Sequence, residues 1–167
     1  MLSFLLILVF ISIVSADTQY NCPSSDAKQH AGCKFHVTFE NSCDDVKEEM
    51  RKRIAGQYDQ WHDPHNNGTY TELAEYKGSL ETSRLTGDKK YTDLINFSFE
   101  WNSDSVGCVV YGCSQSQVFS IGDAGTNYCN IFSLYCNDDK CQPFTKLKYS
   151  NEVIDKCTQA DPNVCLP

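Results

Sequence analysis

The sequence predicts an α+β fold. One N-terminal helix packs on a curved antiparallel meander sheet, the whole is disulfide-stabilised, and the tail is irregular and cysteine-rich. Three observations lead there. Ten cysteines follow a short apolar leader. Apolar residues recur at helical spacing from Val46 to Trp61. From Tyr70 onward the pattern changes to the period of two that marks half-buried strands.

The leader comes first. Met1 to Val14 is an apolar run broken only by Ser3 and Ser12, and Val14-Ser15-Ala16 offers the small residues a signal peptidase reads. The run is shorter than the roughly 20 apolar residues that span a bilayer, which argues against the rival reading of an uncleaved anchor. Residues 1–16 are therefore predicted to be a signal peptide, and 17–167 a single secreted disulfide-rich domain with no membrane span. At about 150 residues the mature part is long enough to bury a real core, so bridges supplement packing.

An exported chain with an even cysteine count is predicted to be fully paired. The half-cystines are Cys22, Cys33, Cys43, Cys108, Cys113, Cys129, Cys136, Cys141, Cys157 and Cys165. Ten of them allow about 945 connectivities, and spacing does not choose among these. A zinc site is the competing use of cysteine. It favours Cys-x-x-Cys pairs, which do not occur in this sequence. No metal or other cofactor is predicted. The formal net charge of −8 disfavours nucleic acid and anionic lipid as partners. The cluster Arg51-Lys52-Arg53 does not reverse this, because it follows Glu48 and Glu49 and reads as a solvated helix face.

The elements follow in order. Lys34 to Glu40 alternates, with Phe35, Val37 and Phe39 on one side, and predicts a short strand. Ser42 is a suitable N-cap, with Asp44 and Asp45 in the first turn where the helix dipole favours acid and Asp45 placed for a capping box. Val46, Met50, Ile54, Tyr58 and Trp61 then form one apolar face, and Glu48 with Lys52 and Glu49 with Arg53 are i,i+4 ion pairs. Gly56 weakens the second half and Pro64 stops any continuation. Leu80 to Leu85 and Tyr91 to Trp101 predict a hairpin turning at Thr86-Gly87-Asp88, with Asp93 and Leu94 out of phase in the second strand. Further strands are predicted at Cys108 to Cys113 and Tyr128 to Cys136, joined by a Gly-containing loop around 120–126. From Asn137 periodicity is weak, which predicts an irregular tail held by its cysteines. Cystatin-like folds share this order of elements, although order alone is a weak guide to function.

Several constellations hold groups capable of chemistry. His62-Asp63-Pro64-His65 has two potential metal ligands but no third in view, and reads as a polar turn. Tyr111-Gly112-Cys113 resembles the calcium loop of secreted phospholipases A2, but the His-Asp dyad that activates water there does not follow; all four histidines precede Cys113. Cystatin-type inhibition uses a Gln-x-Val-x-Gly hairpin, which neither Leu85-Thr86-Gly87-Asp88 nor Gln117-Val118 supplies. No Gly-x-Ser-x-Gly elbow is present. Two N-glycosylation sequons are: Asn67-Gly68-Thr69 in a predicted turn and Asn96-Phe97-Ser98 on the polar side of a strand.

One resemblance adds to this. Thr86-Gly87-Asp88, Tyr91-Thr92-Asp93, Gly107-Cys108, Cys113-Ser114-Gln115-Ser116-Gln117-Val118 and Thr126-Asn127-Tyr128-Cys129-Asn130 through Leu134-Tyr135-Cys136 lie within residues 60–141. Together they are similar to a group of small secreted cysteine-rich nematode proteins, some associated with the uterine lumen and egg-laying. The resemblance implies a secreted modulator or luminal component and brings no catalytic residues. The sequence reading is thus a non-enzymatic extracellular protein that binds a protein or luminal partner, in reproduction or egg-laying. Its alternatives are a secreted inhibitor of a protease or other hydrolase, and a small enzyme with an unrecognised site. Mass spectrometry of the exported protein is expected to find Asp17 at the amino terminus and no free thiol. Several unmodified thiols or a retained leader would contradict the reading.

Overall fold

The computed structural model describes residues 20–102 and 107–166. The predicted signal peptide lies outside them. An antiparallel sheet of six strands carries the fold, with three α-helices among the described residues. The elements are β1 (Gly32–Phe39), α1 (Cys43–Ala55), β2 (Thr69–Tyr76), β3 (Ser79–Leu85), β4 (Thr92–Asn102), β5 (Gly107–Ser116), α2 (Thr126–Phe132), β6 (Tyr149–Cys157) and α3 (Pro162–Cys165). A short 3-10 turn covers Asp139–Cys141. Strand order is β2-β3-β4-β5-β1-β6, so four consecutive strands do form a meander and β1 returns to lie beside β5.

Alternation decides which face is buried. Phe35, Val37 and Phe39 of β1, Leu80 of β3, Ile95, Phe97 and Phe99 of β4, and Cys108 and Val110 of β5 all belong to one core cluster. The register brings Leu80 opposite Phe97 and Arg84 opposite Asp93, which keeps the faces in phase across strands. The strand predicted from Tyr91 to Trp101 is buried over less than its full length. Ile95, Phe97 and Phe99 are buried, but Tyr91 and Trp101 at its two ends stay exposed. The opposite face is crossed by the chain that precedes β1, where Tyr20 meets the ring of Tyr111 edge-on at 5.2 Å.

α1 begins as its sequence dictates. Ser42 Oγ accepts from the Asp45 amide at 3.2 Å and donates to Asp45 Oδ2 at 2.7 Å. Val46, Met50 and Ile54 are buried against the sheet, each contributing about 1.5–3 kcal/mol by removal from water. The helix stops at Gly56, whose amide still bonds to the Lys52 carbonyl at 2.8 Å. Tyr58 therefore leaves the predicted apolar face: it has a left-handed φ of 63° and is exposed, whereas Trp61 folds back into the core and donates to the Cys141 carbonyl at 2.8 Å.

Three further expectations are corrected. Tyr128 to Cys136 is not a strand, since α2 occupies Thr126–Phe132 and a turn follows. Tyr128, Ile131, Phe132 and Tyr135 fall at the i, i+3, i+4, i+7 spacing of one helical face, and the cysteines at 129 and 136 masked it. The tail is not irregular throughout, because β6 pairs with β1 at the sheet edge. Most of β6 is exposed, so it carries no apolar alternation to betray it. Its Glu152 reaches over α2 and accepts from the hydroxyls of Tyr128 and Tyr135. Burial, and then the Glu152 charge, pushes both phenols well above their ordinary range.

The third correction concerns charge. Glu48 and Lys52 form the predicted exposed pair at 2.8 Å, but Arg53 is not on a solvated face. Its Nε donates to Glu49 Oε1 at 2.8 Å and its Nη1 to the Ser133 carbonyl at 2.9 Å, with both side chains wholly buried. Glu49 also accepts from the amides of Phe144 and Thr145. One buried ion pair thus ties α1 to the end of α2 and to the loop before β6.

All ten cysteines are paired: Cys22–Cys113, Cys33–Cys157, Cys43–Cys108, Cys129–Cys165 and Cys136–Cys141. The first three bolt the leading chain, the edge strand β6 and the start of α1 to the centre of the sheet. They close separations of 91, 124 and 65 residues, the long loops for which the entropic gain of cross-linking is largest.

Replacing Glu49 by alanine strands a buried guanidinium and is expected to cost about 3–5 kcal/mol, read as a lower urea midpoint. Glu48→Ala, at the exposed pair one residue earlier, is expected to cost no more than about 1 kcal/mol.

Candidate functional site

A cleft opens where the β3–β4 turn faces the loop from β5 to α2. Its volume is about 500 Å³, within the range of small-molecule sites. Two local structures hold its walls. On one side the 86–91 turn is closed by the Thr86 amide on the Tyr91 carbonyl (2.9 Å) and by the Tyr91 amide on Thr86 Oγ1 (3.1 Å). On the other, the 117–125 loop is pinned at both ends. The Gln117 amide donates to the Thr92 carbonyl at 3.0 Å, and Asp123 accepts from the amides of Gly125 and Asn127. Between these anchors the Ser120 amide donates to the Gln29 carbonyl at 3.1 Å, so the chain before β1 braces the loop from behind.

The rim is apolar and open to solvent. Tyr91 is 50% exposed, Phe119 66% and Ile121 70%, with Val118 beside them. The floor is polar and buried, formed by Asp93, Ser116 and Thr86. Beneath it runs a continuous chain of hydrogen bonds. Asn130 Nδ2 donates to Asp93 Oδ2 (2.8 Å) and to Ser114 Oγ (3.0 Å); Ser114 Oγ donates to Asn127 Oδ1 (2.7 Å). Asn127 Nδ2 then donates to Ser116 Oγ (2.9 Å) and Asp123 Oδ2 (2.8 Å). The network forms because Asp93, Ser114 and Ser116 occupy core-facing strand positions, and Asn127 and Asn130 stand three apart on the inward face of α2.

A second buried polar group adjoins it. Arg84 Nη2 donates to Asp63 Oδ2 and, at 2.7 Å, to Asn66 Oδ1. Asp63 also accepts from the amides of Gly68 (2.7 Å) and His65 (3.2 Å), and the guanidinium lies over the Tyr70 ring at 5.6 Å. Gly68 is required here, since a Cβ would stand 2.4 Å from Arg84 Cζ. The His62-Asp63-Pro64-His65 turn is therefore more than a solvated connection. Asp63 anchors it in the interior, and His65 Nδ1 lies 2.9 Å from the Val164 carbonyl while His62 stays exposed.

The other clefts carry less. The groove between α1 and β2 is lined by charges that neutralise one another, Lys47 with Glu75 and Arg51 with Glu72, each at 2.8 Å. Of the two sequons, Asn67 is exposed at a left-handed φ of 55° in the loop before β2. Asn96 is half-buried on the outer face of β4, between Glu81 and Cys113 of the flanking strands.

Sequence reasoning marked Asp93 only as a residue out of phase, and that was the available signal: a carboxylate in the buried register of an apolar strand. Phe119 and Ile121 gave none, because single apolar residues in loops are commonplace. Comparisons of the chain with protein-family models, curated proteins and solved structures find no match.

With its exposed side chain, Asn67 is expected to carry an N-glycan on export. Asn67→Gln should remove the mass of one glycan, measured on intact protein before and after deglycosylation.

Proposed function

We propose that this is a secreted, non-enzymatic binding protein whose cleft between the 86–91 turn and the 117–125 loop receives a small luminal ligand. The observation that carries the reading is the cleft itself: an apolar rim exposed to solvent above a buried floor, with both walls held in place. Rigid walls favour binding because little conformational entropy is lost when a ligand is ordered between them. The cleft carboxylates support binding over catalysis, since Asp93 and Asp123 are engaged in the hydrogen bonds that hold β4, α2 and the loop together. Five disulfides favour an oxidising, extracellular setting. The resemblance to small secreted nematode proteins supports a role in a lumen of the reproductive tract, as a modulator of reproduction or egg-laying.

One observation favours the hydrolase-inhibitor reading as a second. The 117–125 loop presents Phe119 and Ile121 outward between disulfide-bonded Cys113 and Cys129, the form of a rigid inhibitory loop.

Titration with tyrosol, a neutral phenol on a two-carbon arm, is expected to shift the amide resonances of residues 91 and 118–121. Phe119→Asp should abolish this while changing stability by no more than about 0.5 kcal/mol, the usual range for exposed sites. Perturbations confined to another surface would refute the cleft reading. Stoichiometric inhibition across a protease panel would favour the inhibitor.

A further inference from the structure

The charge around the cleft is one-sided. Asp93 is only 2% exposed, and Asn130 Nδ2 is the one side-chain donor that reaches its carboxylate among the described residues. A buried carboxylate ordinarily gathers two or three donors or a counter-charge. The nearest guanidinium is Arg84, opposite Asp93 in the β3–β4 register, but its hydrogen-bonded ion pair is made with Asp63. Two buried carboxylates thus share one buried cation. Asp123 adds a third negative charge at the cleft wall, and no lysine, arginine or histidine lines the cleft. The Oδ1 atom of Asn130, next to Asp93 in the network, is a buried acceptor with no partner among the described residues. Arg84 Nε and Nη1 are buried donors likewise without a partner among the described residues, but Arg84 does not line the cleft. Above the floor, Tyr91 and Phe119 present aromatic rings, which attract a cation through their faces.

We infer that the cleft binds a protonated primary amine carrying a small aromatic or aliphatic body, with the ammonium directed at Asp93 and the body seated against Tyr91, Val118, Phe119 and Ile121. This rests on the reading of the cleft as a ligand site and adds the chemical class of the ligand. An ammonium supplies the positive charge that no residue lining the cleft provides, and the apolar body covers a rim now exposed to water. The 500 Å³ volume admits a monoamine with a single ring system.

Three probes with one body and different heads separate the possibilities: tyramine (ammonium), tyrosol (hydroxyl) and 4-hydroxyphenylacetate (carboxylate). Calorimetry on the full mature protein is expected to give tyramine an affinity about tenfold or more above tyrosol, as hydrogen bonds to charged groups exceed neutral ones by that order. The carboxylate should bind below tyrosol. Asp93→Asn should reduce tyramine to the tyrosol level and leave tyrosol unchanged. Because Asp93 is buried, a second variant avoids dependence on its folding. Ile121→Lys, at an exposed rim position, tethers an ammonium at the mouth and should lower tyramine affinity severalfold while affecting tyrosol less. Equal binding of tyramine and tyrosol, or indifference of tyramine to Ile121→Lys, would overturn the amine assignment and leave the ligand site standing. Absence of binding by all three probes at the cleft would overturn both.

Discussion

The close approach of α2 to β5 at Gly112 is the constraint on which the candidate site depends. A Cβ on Gly112 would stand 2.8 Å from Ile131 Cγ2, so any larger residue would push the helix off the sheet. At that spacing Asn127 and Asn130 come within hydrogen-bond distance of Ser114, Ser116 and Asp93. The serines matter in the same way, since their small side chains leave room for the two amides between helix and strand. A polar layer inside a core is tolerated only when its groups find partners. Here the layer stands at the end of the sheet, beneath the cleft, where the core gives way to the loops.

Two buried ion pairs divide the structural work. Glu49–Arg53 holds α1 against the end of α2 and the 144–145 loop, and Asp63–Arg84 holds the loop before β2 against β3. The first pair collects backbone groups from distant segments, whereas Asp63 collects amides of its own loop, at His65 and Gly68. Such pairs contribute little stability relative to a well-packed apolar replacement, yet their disruption is costly. They specify which loops meet. The disulfides act on further segments, joining the chain before β1, the edge strand β6 and the start of α1 to the sheet.

Legibility in the sequence followed the physics of each element. β1, α1, β3 and β4 were readable because their residues alternate or repeat at a fixed period against a single buried face. The helix boundary was less so, as Gly56 and the left-handed Tyr58 end α1 before the apolar spacing does. α2 was misread because two cysteines and a run of apolar residues resemble a strand when tertiary partners are unknown. β6 was invisible, being an edge strand whose side chains mostly face water. Of the candidate site, the turn at 86–88, the loop around 120–126 and the out-of-phase Asp93 were legible, while the α2 residues beneath them were not.

By itself the amino-acid sequence determined the class of fold, the start of α1, the faces of the central strands and the full pairing of the cysteines, because periodicity, capping and cysteine count are local properties. Only the tertiary structure decided which cysteines pair, that Arg53 is buried while Lys52 is not, and that Asp93 meets Asn130 beneath an apolar rim. Those facts depend on residues far apart in the chain arriving at one place, and no local pattern encodes that arrival.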